Sequence, residues 1–415
     1  HRCVGVGKCR ADLRGSGGVM CPSYLATRDE KDSTRGRARV LQELANGALV
    51  AGVGSAAVTE SLDLCLACKA CASDCPAGVD MARYKAEVLH RRYRRRLRPP
   101  SHYALGWLPR WLAVGRRMPR VTNAVLGSLL GRLLARAGGI DPRRPLPRLA
   151  APRGRSHAEP RAALGRSGAA RPTPAPRALL WTDTFTRAFD PQVTTNARQV
   201  LLDAGFAVAG APPVCCGVTW VTTGQLDGAR RRLRRLVDTL HPFIEAGAVV
   251  VGLEPSCVAT LRDDLPELLP HDPRAQAVAD ATRTLAEALS TATAERGWTP
   301  PDLTGTDVVV QPHCHHHAVM GYGPDLALLE SAGAHVTRLA GCCGLAGNFG
   351  MEQGHYEVSI AVAEGAMVPA LHAAPHAQLL ADGFSCRTQA AHLADRQAVH
   401  LSTLLACNLG HPGRP

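Results

Sequence analysis

Lysine occurs only four times in this chain, at Lys8, Lys31, Lys69 and Lys85, and aromatic residues make up 4% of its 415 residues. The net charge of +13 is therefore nearly all arginine, and that arginine sits largely between Arg91 and Arg177. With so few rings to stack on bases, the charge does not read as a nucleic-acid surface. No stretch of eighteen apolar residues is present, which excludes a membrane-spanning helix, and no secretory leader is visible. An apolar content of 46% excludes a disordered chain and supports two or three domains with real cores. Cysteine, by contrast, is plentiful. Fifteen cysteines, mostly in tight clusters beside histidines, point to metal ligation in a reducing compartment, hence a cytoplasmic protein, and not to a secreted disulfide framework.

The densest cluster is Cys65-Leu-Ala-Cys68-Lys-Ala-Cys71-Ala-Ser-Asp-Cys75-Pro76. It has the ferredoxin spacing Cys-x2-Cys-x2-Cys-x3-Cys-Pro, in which three closely spaced thiolates wrap one cubane and the Cys before Pro serves a second cluster. Zinc also accepts Cys-x2-Cys pairs, but three closely spaced steps and a Cys-Pro favour iron and sulfur. The partner segment runs from Cys3 through Cys9 to Cys21-Pro22. Crossed ligation gives one complete [4Fe-4S] set from Cys21, Cys65, Cys68 and Cys71. Val6 stands where the middle Cys of a second triplet would fall, leaving Cys3, Cys9 and Cys75. Three thiolates suit a three-iron cluster, a four-iron cluster with an outside ligand, or thiols that merely pack.

The fold class expected is α/β with an N-terminal all-α ferredoxin-like module and two pseudo-repeated α/β cysteine-rich lobes. Residues 1–98 form the helical module, with Ser33 opening a helix whose Arg35, Arg37 and Arg39 are candidates to lie near the cluster. Residues 99–176 hold a basic helical segment, broken at Pro109 and Pro119, and a Pro- and Arg-rich linker from Pro142 to Pro176. Its apolar residues, interleaved with arginine, make peripheral contact with an anionic membrane face one reading and packing on a domain the other. Residues 177–300 and 301–415 are two copies of one pattern: strand, helix, strand, Cys-Cys-Gly, helix, strand, Cys. Cys216 to Cys257 spans 41 residues and Cys343 to Cys386 spans 43. Strand-end loops of an open parallel sheet gather ligands, so each copy brings its cysteines together. The second lobe has Cys314, Cys342, Cys343 and Cys386, with His313, His315, His316, His317 and His355 near those loops. The first keeps Cys215, Cys216 and Cys257, and reads Trp181-Thr-Asp183-Thr where a fourth thiol is expected. Adjacent thiolates fit a multi-iron cluster better than a tetrahedral zinc, so a further iron–sulfur cluster or metal is expected in the second lobe, with His313 and His315 as added candidate ligands.

A ferredoxin module followed by two Cys-Cys-Gly motifs resembles the cysteine-rich domains of heterodisulfide reductases and glycolate-oxidase iron–sulfur subunits. Closer still, Cys3-Val-Gly-Val-Gly-Lys-Cys9, Gly18-Val-Met-Cys-Pro-Ser-Tyr24, Gln311-Pro-His-Cys-His315, Gly341-Cys-Cys-Gly-Leu-Ala-Gly-Asn-Phe-Gly350 and Asp382-Gly-Phe-Ser-Cys-Arg387 resemble the C-terminal half of bacterial FAD-linked D-2-hydroxyacid dehydrogenases. These include the D-2-hydroxyglutarate and D-lactate types. The resemblance implies FAD on an upstream domain or subunit, and a quinone or carrier protein as acceptor. Because His1 already lies inside a cysteine motif, the chain is expected to be one part of a longer polypeptide. Two other classes stay open: heterodisulfide-reductase-like thiol–disulfide chemistry, and a zinc-stabilised scaffold without catalysis.

Overall fold

The internal repeat becomes visible in how the strands are ordered. A computed structural model of the chain describes residues 3–47, 52–151 and 177–410. Its first sheet contains β1 (Arg177–Trp181), β2 (Ala207–Gly210), β3 (Ala248–Gly252) and β4 (Thr282–Arg283), ordered β2-β1-β3-β4 and parallel throughout. The second contains β5 (Asp307–Val310), β6 (His335–Arg338) and β7 (Gln378–Leu380), ordered β6-β5-β7 and also parallel. In both, the first strand is central and the next two flank it. A single parallel bridge from Leu380 to Val399 stands where β4 stands in the first copy. The central strands read as apolar runs because helices cover both faces.

The two lobes share a core. Val193, Val200 and Leu201 of helix Gln192–Asp203 pack with Leu285 and Leu289 of helix Leu285–Arg296 and Leu401, Leu404 and Leu405 of helix Leu401–Asn408, between Leu180 and Val251 of one sheet and Val308 and Val310 of the other. At about 25 cal/mol per Å² of apolar area, such a core contributes strongly to holding the copies together.

Among the described residues before 152, every regular element is helical. Pro109 and Pro119 break the segment into pieces as expected, each from the first turn of a new helix (Leu108–Gly115 and Pro119–Gly127), where a missing N–H costs nothing. Other expectations need correction. The single helix that the repeat pattern expects after the second Cys-Cys-Gly, over 358–371, is two, Tyr356–Glu364 and Met367–Ala373. The start of the expected flexible linker is anchored: Arg144 is buried and donates to the Gly350 carbonyl at 2.6 Å, Gln389 at 2.8 Å and Ser359 Oγ at 2.6 Å. Residues 152–176 lie outside the described residues. No described helix is long and apolar enough to cross a membrane. Leu129, Leu130, Leu133 and Leu134 of helix Leu129–Ala137 nonetheless face outward.

The helical module is tied to the lobes by polar staples as well as by packing. Asp74 Oδ2 accepts the backbone N–H groups of Val19 at 2.8 Å and Met20 at 2.9 Å, while Oδ1 meets His317 Nε2 at 2.9 Å. Three segments thus meet at one carboxylate. Burial alone would raise its pKa, but the bonds from His317, Met20 and Val19 outweigh that and hold it at about 2, below its ordinary 3.8. A depressed carboxylate adds stability above its unfolded pKa and loses it as pH falls through the folded one. Asp74→Asn is therefore expected to lower stability by about 1–2 kcal/mol at pH 7 and by much less near pH 2, read as the shift in urea unfolding midpoint at the two pH values.

Candidate iron–sulfur and thiol sites

The complete thiol set surrounds one small cavity. Its lining includes Cys21, Cys65, Cys68 and Cys71, with Met20, Arg37 and Met81. The loop that carries the triplet bends tightly: Ala67 (φ 52°) and Lys69 (φ 61°) take the left-handed conformation, which non-glycine residues adopt at a cost. Lys69 holds the bend from outside. Its buried ammonium pairs with Asp80 at 3.1 Å, Asp263 at 2.7 Å and Asp264 at 2.8 Å, the last two from the first lobe. Burial would lower the Lys69 pKa, and the three carboxylates reverse that and raise it. Asp74, Asp80, Asp263 and Asp264 had no signal in the sequence, because their partners are distant in the chain.

The cavity supplies donors for sulfur. Arg37, 1% exposed, places Nη1 3.5 Å from Cys21 Sγ, and the Met81 N–H lies 3.3 Å from Cys71 Sγ. Of the three arginines expected near the cluster, only Arg37 reaches the complete set, while the Arg35 backbone bonds Cys9 of the second set. Arg35 pairs with Glu30 at 2.7 Å, and Arg39 with Glu43 at 2.7 Å, both on the exposed side. Burial, then the neighbouring Cys314, Cys71 and Cys21, pushes the Cys68 thiol well up, and burial pushes Cys71 up. Four desolvated thiols facing each other fit a cationic iron centre that takes them as thiolates. The second set is looser. Cys9 is buried near Cys21, Cys3 is exposed, and Cys75 is half-buried.

In the second lobe the strand ends deliver what the spacing predicts. Cys314 follows β5, Cys342 and Cys343 follow β6, and Cys386 follows β7. All four are buried. Contacts with Cys314 and Cys343, then burial, push Cys342 up, and bonds from Cys342 and Cys386 hold Cys343 down. Gly344 (φ 86°) makes the turn after the cysteine pair, and a Cβ on it would sit 2.1 Å from the Ser359 carbonyl oxygen. Its N–H lies 3.4 Å from Cys342 Sγ. The lobe-2 set borders the first: Cys314 and Cys342 belong to the same apolar core as Cys9, Cys21, Cys65 and Cys71.

The first lobe repeats this geometry with three thiols. Cys216 and Cys257 Sγ atoms are 3.1 Å apart, and the Gly217 N–H is 3.4 Å from Cys215 Sγ. The vacant position is taken by Asp183 and by the Thr184 hydroxyl, which bonds Cys215. Asp183 Oδ1 caps the next helix through Phe185 and Thr186, while its buried Oδ2 has no partner. The bond to Cys216 lowers Cys257, but burial and the carboxylates of Asp183 and Glu254 push it up to about 12. Glu254, missed in the sequence, joins the lobes by accepting the Phe384 N–H at 2.9 Å. Burial and Asp183 push it up to about 7. The available signal was the acidic residue before the last cysteine of each copy, Glu254 and Asp382.

The histidines separate by partner. His313 lies against Gly383 and beside Cys343, with burial and His315 pushing it down to about 3, so it stays neutral. His315 Nε2 reaches the Ala67 carbonyl of the ferredoxin loop at 2.9 Å, and its buried Nδ1 is without a partner. His355 stacks on Phe349 and meets Asp63 at 3.2 Å. His316 turns away, toward Asp325 at 3.2 Å.

Residues 1–79 match the family model of the 4Fe-4S dicluster domain. The D-2-hydroxyglutarate dehydrogenase of Escherichia coli (strain K12) is 26% identical over 80% of this chain and 33% of its own length. The enzyme of that name from Pantoea ananatis is 25% identical over 93% of this chain and 41% of its own. The glycolate oxidase iron-sulfur subunit of Escherichia coli is 26% identical over 60% of this chain and 54% of its own. The chain thus spans a third to two-fifths of the length of the dehydrogenases it matches. These similarities bear out the resemblance drawn from the motifs, to an iron–sulfur module of flavin-linked dehydrogenases.

Serine is a poor soft-metal ligand. Cys65→Ser or Cys71→Ser is expected to remove about four irons per chain, whereas Cys3→Ser retains most of them; iron and acid-labile sulfide assays on anaerobically purified protein check this. Equal loss from Cys3→Ser and Cys21→Ser would overturn the assignment of Cys21 to the complete set.

Proposed function

We propose, from this kinship, that the chain is the electron-transfer part of an oxidoreductase in which a flavin oxidises a D-2-hydroxyacid and the electrons pass through this chain to a quinone or carrier protein. One observation carries the reading: the thiol set Cys21, Cys65, Cys68 and Cys71 and the set Cys314, Cys342, Cys343 and Cys386 lie in and around one buried core, with Cys314 next to Cys68. Iron–sulfur clusters, when bound there, supply one-electron redox chemistry, which a flavin that takes two electrons as hydride needs on its way to a one-electron acceptor.

The protein's own residues do the rest. The apolar core of Val19, Met20, Leu62, Leu66, Met81 and Phe349 excludes water from the first set and from Cys314 and Cys342, and that of Leu339, Leu345, Met351 and Met367 does so for Cys343 and Cys386. Arg37 and the Met81 N–H point at sulfur, where donors stabilise the more negative, reduced state and raise its potential. Neutral His313 stands beside Cys343, where a ring without charge leaves the thiolate to the metal. The division into a helical module over 1–98, a basic segment and linker over 99–176, and lobes over 177–300 and 301–415 belongs to the same proposal. The first lobe, with Asp183 in place of a thiol, acts mainly as scaffold. The outward leucines of helix Leu129–Ala137, with Arg132 and Arg136 among them, suit a peripheral contact on the anionic inner membrane face, where a quinone would be met.

Tested alone, the chain should be bleached by dithionite yet reduce no dye with any D-2-hydroxyacid until a flavin domain is added. Cys343→Ser should cut acceptor reduction at least about tenfold while the first set stays reducible, and Cys216→Ser should be milder. Spectra and acceptor rates of the two variants decide it: full transfer in Cys343→Ser sinks the second lobe's electron role, and stoichiometric zinc without iron sinks the whole reading in favour of a scaffold.

A further inference from the structure

A second buried cluster, of oxygen and nitrogen instead of sulfur, lies behind the lobe-2 thiols. His316 opens the π-helical turn His316–Met320 two residues after Cys314, and such turns recur at functional sites. Asp325 lies in the first turn of helix Gly323–Ser331. Asp382 follows β7, two residues before helix Phe384–Ala394, whose first turn carries Cys386. One ligand atom from each lies within 4.8 Å of the other two. His316 and Asp325 are each 2% exposed and Asp382 is 9% exposed.

The polar atoms of this group are not satisfied. Neither ring nitrogen of His316 nor Asp325 Oδ2 has a hydrogen-bond partner, although His316 Nε2 and Asp325 Oδ2 are 3.2 Å apart. Buried polar atoms are rarely left so unless something else binds them. Asp382 Oδ1 accepts the Leu401 N–H at 2.8 Å, and the nearby His400 spends its Nε2 on the Leu253 carbonyl at 3.0 Å. The apolar wall is Tyr322, whose ring stands edge-on to His316 at 4.8 Å. Two buried carboxylates facing one imidazole are more negative than the ring alone offsets, and a cation compensates them without opening the core.

We propose that His316, Asp325 and Asp382 hold one divalent cation, distinct from the thiol sites. One imidazole and two carboxylates form a hard to borderline donor set suited to Mn2+, Fe2+ or Zn2+, where the cysteines select iron and sulfur. The cation ties together the turn that carries Cys314 and the residues that lead into Cys386. It thereby fixes the spacing of two thiols contributed by different strands.

The probe is Mn2+, which thiolates bind poorly. Added to cluster-loaded, chelator-washed full chain, it should be taken up at one equivalent, seen as loss of the free-ion EPR signal at room temperature, and should raise the thermal unfolding midpoint by mass action. His316→Gln and Asp325→Asn should each weaken uptake at least about tenfold with iron and sulfide content measured alongside. Uptake that persists in Asp325→Asn places the ion elsewhere and overturns the proposal. So does wild-type protein that neither takes up Mn2+ nor gains thermal stability from Mn2+ or Zn2+, which would make His316 and Asp325 a simple ion pair; this arm holds even if a variant fails to fold.

Discussion

Burying a thiol suppresses its ionisation, and burying several in mutual contact suppresses it further. Two groups of four cysteines lie side by side in this chain, and Cys314 and Cys342 of one share an apolar core with the other, where Cys314 sits beside Cys68. Everything around that seam arranges for it. Lys69 and its three carboxylates fasten the outside of the triplet loop, Asp74 ties the Cys21 segment to the His317 turn, and His315 crosses from the second lobe to the Ala67 carbonyl. The helical module is therefore fixed against the lobes by groups immediately flanking the thiols.

Both lobes solve one geometric problem in the same way. A parallel sheet places all its strand ends on one side, so residues far apart in sequence converge there without any contact in between. The order β2-β1-β3 and its copy β6-β5-β7 put three loops side by side. The lobes differ in the loop after the central strand: Cys314 bonds Cys342 in one, whereas in the other the Thr184 hydroxyl bonds Cys215 and Asp183 caps a helix. One change of residue type at that position leaves three thiols together in place of four.

The histidine run shows how little proximity in sequence says about role. His313 faces Cys343, His315 the ferredoxin loop, His316 two aspartates and His317 Asp74. A turn of π-helix starting at His316 sends successive rings in different directions. Spacing alone could not sort them, since each partner comes from a different segment: residues 67, 74, 325 and 343.

What the amino-acid order determined by itself is local: the triplet Cys65, Cys68 and Cys71, the two Cys-Cys-Gly turns, and the repeat, whose three strands per copy appear in the expected order, β4 being an addition. Those features depend on spacing, periodicity and the left-handed glycine, all carried by neighbours in the chain. Which arginine meets sulfur, where the linker's first residues are anchored by Arg144, and how Asp74, Asp264, Glu254 and Asp325 find their partners were decided only by the tertiary structure. The reason is physical. A buried charge is settled by whatever the fold brings within a few ångströms of it, and at separations that run from 16 residues (Arg37 and Cys21) to 206 (Arg144 and Gly350) the sequence leaves no periodic trace of that meeting.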